Sequence, residues 1–298
     1  MHGSAFPRKR FNLQEECFAF PLAPAYTVSV LIPDMQGVTH VPANSDEGSG
    51  VSSALYSIHH CIASRYARSK NKGAAKILYL TYSAGFRHEV LPFSEGMLQR
   101  LGEQSGAFVS IATLDCSLIN ADYLKNFDGL VFYTTGELPF SEEQKQAFLD
   151  FIKSGKGFIG IHSATDTFYQ WPEYGKLIGG YFDQHPWHQE VVIKVEDAAH
   201  PSVRHLAPSF KIKDEIYQFK GFSKDQVHVL LSLVNSSVDL NKPSVHRADK
   251  YFANAWTNTY GKGRVFYTAL GHREEVWSNP RFQKHLVNGI RWALGELK

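Results

Sequence analysis

Cysteine is scarce in this chain, with only Cys17, Cys61 and Cys116 among 298 residues. Three thiols without a Cys-x-x-Cys spacing support neither a disulfide framework nor a thiolate zinc site. An excess of one charge is also missing. Lys and Arg total 31 against 29 Asp and Glu, and the basic residues cluster only at Arg8-Lys-Arg10, so the electrostatic footprint of a nucleic-acid binder is absent. No apolar run approaches the ~20 residues of a bilayer span. No Gly-x-Gly-x-x-Gly follows the first predicted strand, and Gly155-Lys-Gly157 and Gly261-Lys-Gly263 stand before strands instead of joining a strand to a helix. They read as tight turns, and no bound nucleotide is expected.

What is present is an ordinary globular composition, 43% hydrophobic and 13% aromatic, able to bury a sizeable core. Residues 1–72 stand apart: they are irregular and rich in Ser, Pro, Ala and Gly, and read as a poorly ordered extension or an uncertain leader. The expectation is a cytoplasmic protein, with export the alternative if this segment is a leader; Glu15, Glu16 and three prolines interrupt a secretory pattern. From Ala75 the pattern becomes strict. Lys76 to Tyr82, Phe108 to Leu114, Asp128 to Tyr133 and Gly157 to Ile161 read as strands, the first a near-continuous apolar run as expected for a sheet covered on both faces. Pro92 to Gln104 has helical spacing, and Ser141 with Gln144 marks a capping box at the start of a helix reaching Ile152. The alternation predicts a doubly wound, mostly parallel sheet. Beyond it, His188 to Glu196 and Ser209 to Lys213 are strands without long intervening helices, an antiparallel insertion. Further strands at Val227 to Leu233, Phe252 to Thr257 and Gly263 to Leu270 precede a closing amphipathic helix, Arg281 to Leu297.

The segment Gly155 to Phe168 is the most informative, because a buried strand there ends abruptly at His162, Ser163 and Asp166, and carboxyl ends of strands are where open α/β sheets bind ligands. The same sheet edge should gather His88 after the first strand and His272 after a late one, with His185 arriving from the insertion. Three imidazoles and a carboxylate suit zinc or a similar divalent ion, and His162, His185 and His272 are the expected metal ligands. No helix displays His-x-x-x-His, so this expectation rests on convergence in space. Pro186 places His185 in a loop or at a helix cap. Asp214 and Glu215 are neighbours on a strand and face opposite ways; Glu215 is taken as the one that enters the pocket, with His162 and Asp166 as its partners in proton transfer. His88, Trp171, Trp187 and Tyr217 are the expected substrate contacts, since flat rings with a polar edge can cover the apolar face of a small ligand.

Gly85-Phe-Arg-His88, Gly157-Phe-Ile-Gly-Ile-His-Ser-Ala164, Trp171-Pro-Glu-Tyr-Gly175, Phe182 with His185-Pro-Trp187, Asp214-Glu-Ile-Tyr217, Gly261-Lys-Gly-Arg-Val-Phe-Tyr267 and Gly271-His272 together resemble the ThuA-like (trehalose utilisation) family over about Lys76 to Leu297. The resemblance implies a flavodoxin-like, class I glutamine amidotransferase-like fold over residues 73–298 and a small-molecule sugar as substrate. Amidotransferases of that superfamily carry a nucleophilic Cys on the strand-to-helix elbow; here His162 stands there, so glutamine hydrolysis is not expected. The leading expectation is a metal- or His-assisted hydrolase, lyase or isomerase acting on trehalose, a related disaccharide or a keto-sugar. The alternatives are a non-catalytic carbohydrate-binding or regulatory module and a Ser163 hydrolase.

Overall fold

The computed structural model describes residues 73–298; the expected N-terminal extension lies outside the described residues. Nine strands form one sheet: β1 (Ala75–Leu80), β2 (Phe108–Thr113), β3 (Gly129–Phe132), β4 (Gly157–Ile161), β5 (Tyr181–Val195), β6 (Ser209–Lys220), β7 (His228–Leu233), β8 (Ala253–Tyr260) and β9 (Gly263–Thr268), in the order β2-β1-β3-β4-β9-β8-β7-β5-β6. The neighbours from β2 to β9 pair in parallel. From β9 to β6 every pairing is antiparallel. The helices are α1 (Leu91–Ser105), α2 (Ala121–Leu124), α3 (Glu142–Lys153), α4 (Pro172–Ile178), α5 (Glu274–Trp277) and α6 (Pro280–Ala293). Among the described residues no helix is long and apolar enough to cross a membrane.

Alternation along the parallel strands explains why they read as unbroken apolar runs. Ile77 and Tyr79 enter one buried layer with Met97 and Leu98 of α1 and Leu286 and Ile290 of α6. Leu78 and Leu80 enter the other, with Phe148 of α3, Phe158 and Tyr174. Both faces are covered, so neither parity of residue can be polar. Helix α3 starts as its sequence predicts: Ser141 Oγ accepts from the Gln144 amide at 3.2 Å while Gln144 Oε1 accepts from the Ser141 amide at 3.0 Å, a reciprocal cap of roughly 1 kcal/mol. Helix α6 lies so close on β9 that a Cβ at Gly289 would sit 2.3 Å from the Phe266 ring.

Three expectations are corrected. The crossover from β2 to β3 carries only the four residues of α2 instead of a full helix, consistent with the absence of a long apolar period between Cys116 and Asp128. The closing helix stops at Ala293, because Gly295 takes a left-handed φ of 79°. His185 lies in neither a loop nor a cap: β5 begins at Tyr181 and runs through it. Register shifts between Phe182 and Gln184 and between Gln184 and Trp187 accommodate Pro186, whose missing N–H a bulged stretch tolerates.

Two further imidazoles are buried beside α6: His285 between the helix and β9, and His200 against Trp292. His285 is fully enclosed against Phe266 and Phe282, with Nδ1–H donating to the Ser202 carbonyl at 3.1 Å. Burial pushes it down to about 3 and His200 to about 4. Both folded values lie below the unfolded value near 6.5, so the unfolded chain binds more protons between these limits, and stability present above pH 6.5 is lost as pH falls through that window. Urea unfolding at pH 7 and pH 5 should differ by about 2 kcal/mol through His285, the fully enclosed one of the two. His285→Leu should remove its share of that difference; an unchanged pH difference in the variant would clear His285 of the effect.

Candidate metal and active site

Strand β4 ends in a turn of 3-10 helix, His162–Thr165, and His162 itself adopts a left-handed φ of 47°. A non-glycine residue holds such a conformation only when its surroundings over-determine it. Here Tyr267 OH donates to the His162 carbonyl at 2.6 Å, and Tyr174 OH donates to the Ala164 carbonyl at 2.7 Å. The ring is fixed as well. His162 Nδ1 lies 2.6 Å from the Ala269 carbonyl, which can only accept, so Nδ1 carries hydrogen and Nε2 faces the shared space.

Around Nε2 the sheet assembles its polar groups. Tyr217 OH lies at 2.8 Å, His272 Nδ1 at 3.2 Å and Glu215 Oε2 at 3.3 Å. Glu215 Oε2 is also 3.2 Å from His272 Nδ1. The His88 ring stands 5.0 Å from that of His162 and 5.2 Å from that of His272, nearly perpendicular to both. One ligand atom from each of His88, His162, Glu215 and His272 lies within 4.8 Å of all the others. These groups come from the loop after β1, the end of β4, the middle of β6 and the loop after β9. Parallel pairing places the ends of β1, β4 and β9 on one edge of the sheet, so convergence follows from topology.

The electrostatics favour lone pairs on this cluster. Burial, with the His162 and His272 imidazoles close by, lowers His88 to about 3, and its Nδ1 is enclosed without a hydrogen-bond partner. Burial opposes ionisation of Glu215, yet contact with the imidazoles of His162 and His272 prevails and holds its carboxyl well below the usual range. Burial and then the Glu215 charge push the Tyr217 phenol well above its ordinary value, so it remains a hydroxyl donor. A neutral imidazole with an orphaned nitrogen, two further imidazoles and an ionised carboxylate make a group that could hold a metal ion.

Gly271 holds His272 in place. Its N–H donates to Asp214 Oδ2 at 2.7 Å, and its carbonyl accepts from Tyr133 OH at 3.1 Å and Trp277 Nε1 at 2.8 Å. The φ of 125° at this position is one that side-chain-bearing residues rarely adopt. Asp214 thus serves the site from the opposite side of β6, through backbone. Sequence reading missed this role because nothing local marks a carboxylate as the acceptor for a glycine amide 57 residues away.

The other predicted residues are dispersed. His185 is half-exposed, its Nδ1 3.6 Å from Glu215 Oε1, at the margin of the cluster and outside the four-donor group. His188 packs its ring perpendicular to His272 at 5.0 Å and accepts from Arg273 Nε at 2.9 Å. Asp166 accepts from Tyr169 OH at 2.5 Å, and burial pushes its carboxyl up despite that bond. Trp187 has no exposed surface; it donates from Nε1 to the Asp239 carbonyl and packs edge-on against Phe252. That placement is core, without a face for substrate. Trp171 stacks on Tyr174 beneath a Lys145 ammonium, also in an apolar layer. Ser163 Oγ is buried and meets no hydrogen-bond partner, so no base activates it among the described residues. Cys116 is buried beyond β2, where burial and Asp115 raise its thiol to about 11.

The fold and the site define an α/β protein with a buried His/Glu centre on one sheet edge. The ThuA family, described as trehalose utilisation, matches residues 76–293, and the chain belongs to it. Among solved structures, the chain is similar to a putative ThuA-like protein from Bacteroides uniformis, with 27% identity and a TM-score of 0.64 over 76% of this chain and 95% of that one. It is also similar to a putative ThuA-like protein from Parabacteroides merdae, with 22% identity and a TM-score of 0.61 over 76% and 92% of the two chains. No match was found among curated protein sequences.

Removal of the Asp214 carboxylate tests its role. Asp214→Ala leaves the buried Gly271 amide without an acceptor and should cost about 1–3 kcal/mol in urea unfolding. Asp214→Asn keeps an acceptor oxygen and should recover most of that loss. Equal losses in the two variants would mean that Asp214 contributes something other than the Gly271 contact.

Proposed function

We propose that this chain is an enzyme of sugar metabolism, a hydrolase, lyase or isomerase acting on trehalose, a related disaccharide or a keto derivative, with a divalent cation such as zinc held by His88, His162, Glu215 and His272. The observation that carries this reading is the convergence of four ligand atoms within 4.8 Å from four separate parts of the chain. When bound, such an ion would supply Lewis acidity toward a carbonyl oxygen or lower the pKa of a water. The buried, unpartnered His88 Nδ1 supports the fit, because an orphaned polar atom in a core is a cost that a ligand would relieve.

The remaining residues then have defined tasks. The Ala269 carbonyl keeps Nδ1 of His162 protonated and directs Nε2 inward. Tyr217, kept protonated, orients a nearby oxygen by donating to it. With Glu215 engaged as a ligand, Asp166 is the carboxyl left to move a proton, and its raised pKa brings it closer to the range of a general acid. The scaffold fits the amidotransferase-like reading in which His162 occupies the elbow of the nucleophile, and that replacement is consistent with chemistry other than glutamine hydrolysis.

Elemental analysis of the purified full chain should find about one divalent ion per chain. His162→Ala and His272→Ala should retain their fold by circular dichroism and lose metal affinity by more than the ~10–100-fold typical of removing a partner of a ligand. Turnover of trehalose or its keto derivatives should fall with the metal. Sugar binding without turnover or metal in the wild-type chain would instead support a binding module.

A further inference from the structure

Directly outside the cluster the surface opens into a cleft of about 360 Å³ whose walls include Phe86, Glu89, His188, Arg273, Glu274 and Glu275, with His272 shared between cleft and cluster. Its volume falls in the lower part of the ~300–1,000 Å³ range of small-molecule sites. Phe86 is 66% exposed, the most exposed large apolar side chain among the described residues. It presents its ring perpendicular to His88 at 5.0 Å, so it leads from the cluster to the cleft. Arg273 uses Nε to donate to His188 Nε2 at 2.9 Å, and its two Nη amines meet no acceptor among the described residues. A guanidinium fixed through one nitrogen with its outer donors free is pre-organised for a pair of ligand oxygens. Three carboxylates, Glu89, Glu274 and Glu275, share the walls with that single guanidinium. Carboxylates accept from hydroxyls and repel anions.

We infer that this cleft is the sugar subsite, in which an uncharged pyranose lies on Phe86, offers neighbouring oxygens to Arg273 and hydroxyls to the wall carboxylates, and from which phosphorylated or carboxylated sugars are excluded. The inference rests on the metal-centred reading above for the orientation of the ring, and it names Phe86 and Arg273 as residues that position and select substrate. The C–H face of a pyranose is apolar, so an exposed aromatic ring is its natural floor. Glu274 and Glu275 begin the short helix α5 and carry the negative charge that sets the selectivity.

The test is binding of trehalose, glucose 6-phosphate and glucuronate to the full chain as purified, by calorimetric titration or saturation-transfer NMR, with metal content measured on the same samples. Wild type should bind trehalose at least about tenfold more tightly than either anion, roughly 1.4 kcal/mol. Phe86→Ala should weaken trehalose about 3- to 10-fold. Arg273→Ala should weaken it about tenfold, and Arg273→Lys should not restore it, since an ammonium lacks the planar fork. The double variant Glu274→Gln, Glu275→Gln should narrow the gap between trehalose and glucose 6-phosphate. Metal content should be unaltered in all four. Trehalose affinity unchanged in Phe86→Ala, anions bound as tightly as trehalose, or no trehalose binding by wild type would each overturn the subsite. A wild-type chain without metal that still shows Phe86-dependent trehalose binding would overturn the metal-centred reading and leave the subsite standing.

Discussion

The structure depends on one expensive act, the burial of the Glu215 carboxylate. Only 7% of this residue is exposed, and an isolated carboxylate at such a position would be neutralised or would cost several kcal/mol. Contact with the imidazoles of His162 and His272 keeps it charged. Each of those imidazoles has its own anchor: His162 through Nδ1 to the Ala269 carbonyl, His272 through the backbone of Gly271 to Asp214, Tyr133 and Trp277. The charge is stable because the rings are rigid, and the rings are rigid because buried polar atoms far from the cluster hold the backbone beneath them. An apolar replacement of Glu215 would take away the carboxylate that both imidazoles face, so the arrangement is costlier than stability alone requires.

The fold supplies this constraint by dividing labour between the halves of its sheet. Parallel strands β1, β4 and β9 bring loops to a common edge, and their continuous apolar sequences lock them between two helical layers. The antiparallel half contributes a carboxylate from the interior of a strand, where position is set by register rather than by a loop. His188 pairs with Glu215 across β5 and β6, so the ladder that places the buried carboxylate also places a residue of the neighbouring cleft. Loops alone would give a looser site.

Much of this was legible in the residues. The strand runs, the capping box of α3 and the convergence of His88, His162 and His272 at one edge follow from periodicity and from the rule that parallel strands point their carboxyl ends the same way. Strand alternation predicted that only one of Asp214 and Glu215 enters the pocket, and the two side chains do diverge. Trp187 and His185 were misplaced for one reason. Between Gln184 and Trp187 on β5 three residue steps oppose two on β6, from Gln218 to Ile216. An extra residue of this kind breaks the simple alternation of faces, so Trp187 enters the core while His185 reaches toward Glu215. Bulges depend on the partner strand, which a single stretch of sequence does not display. The contribution of Asp214 was hidden similarly, since its partner is a backbone amide in another strand's loop.

His162 shows how strain and orientation combine. A left-handed φ at a bulky residue costs about 1–3 kcal/mol, and the turn would relax if nothing opposed it. Tyr267 and Tyr174 oppose it by bonding consecutive parts of its backbone, and Ala269 bonds the ring. A nucleophile on such an elbow needs exposure, so that it can reach a carbonyl carbon. A metal ligand needs the opposite: a fixed direction, little freedom and exclusion from water. His162 is fully buried, with one nitrogen assigned to the protein and the other facing the cluster. The neighbouring Ser163 is equally buried and has no base. The elbow therefore lacks the exposure and the base that a covalent nucleophile needs, and has instead the fixed, enclosed geometry that the proposed coordination requires.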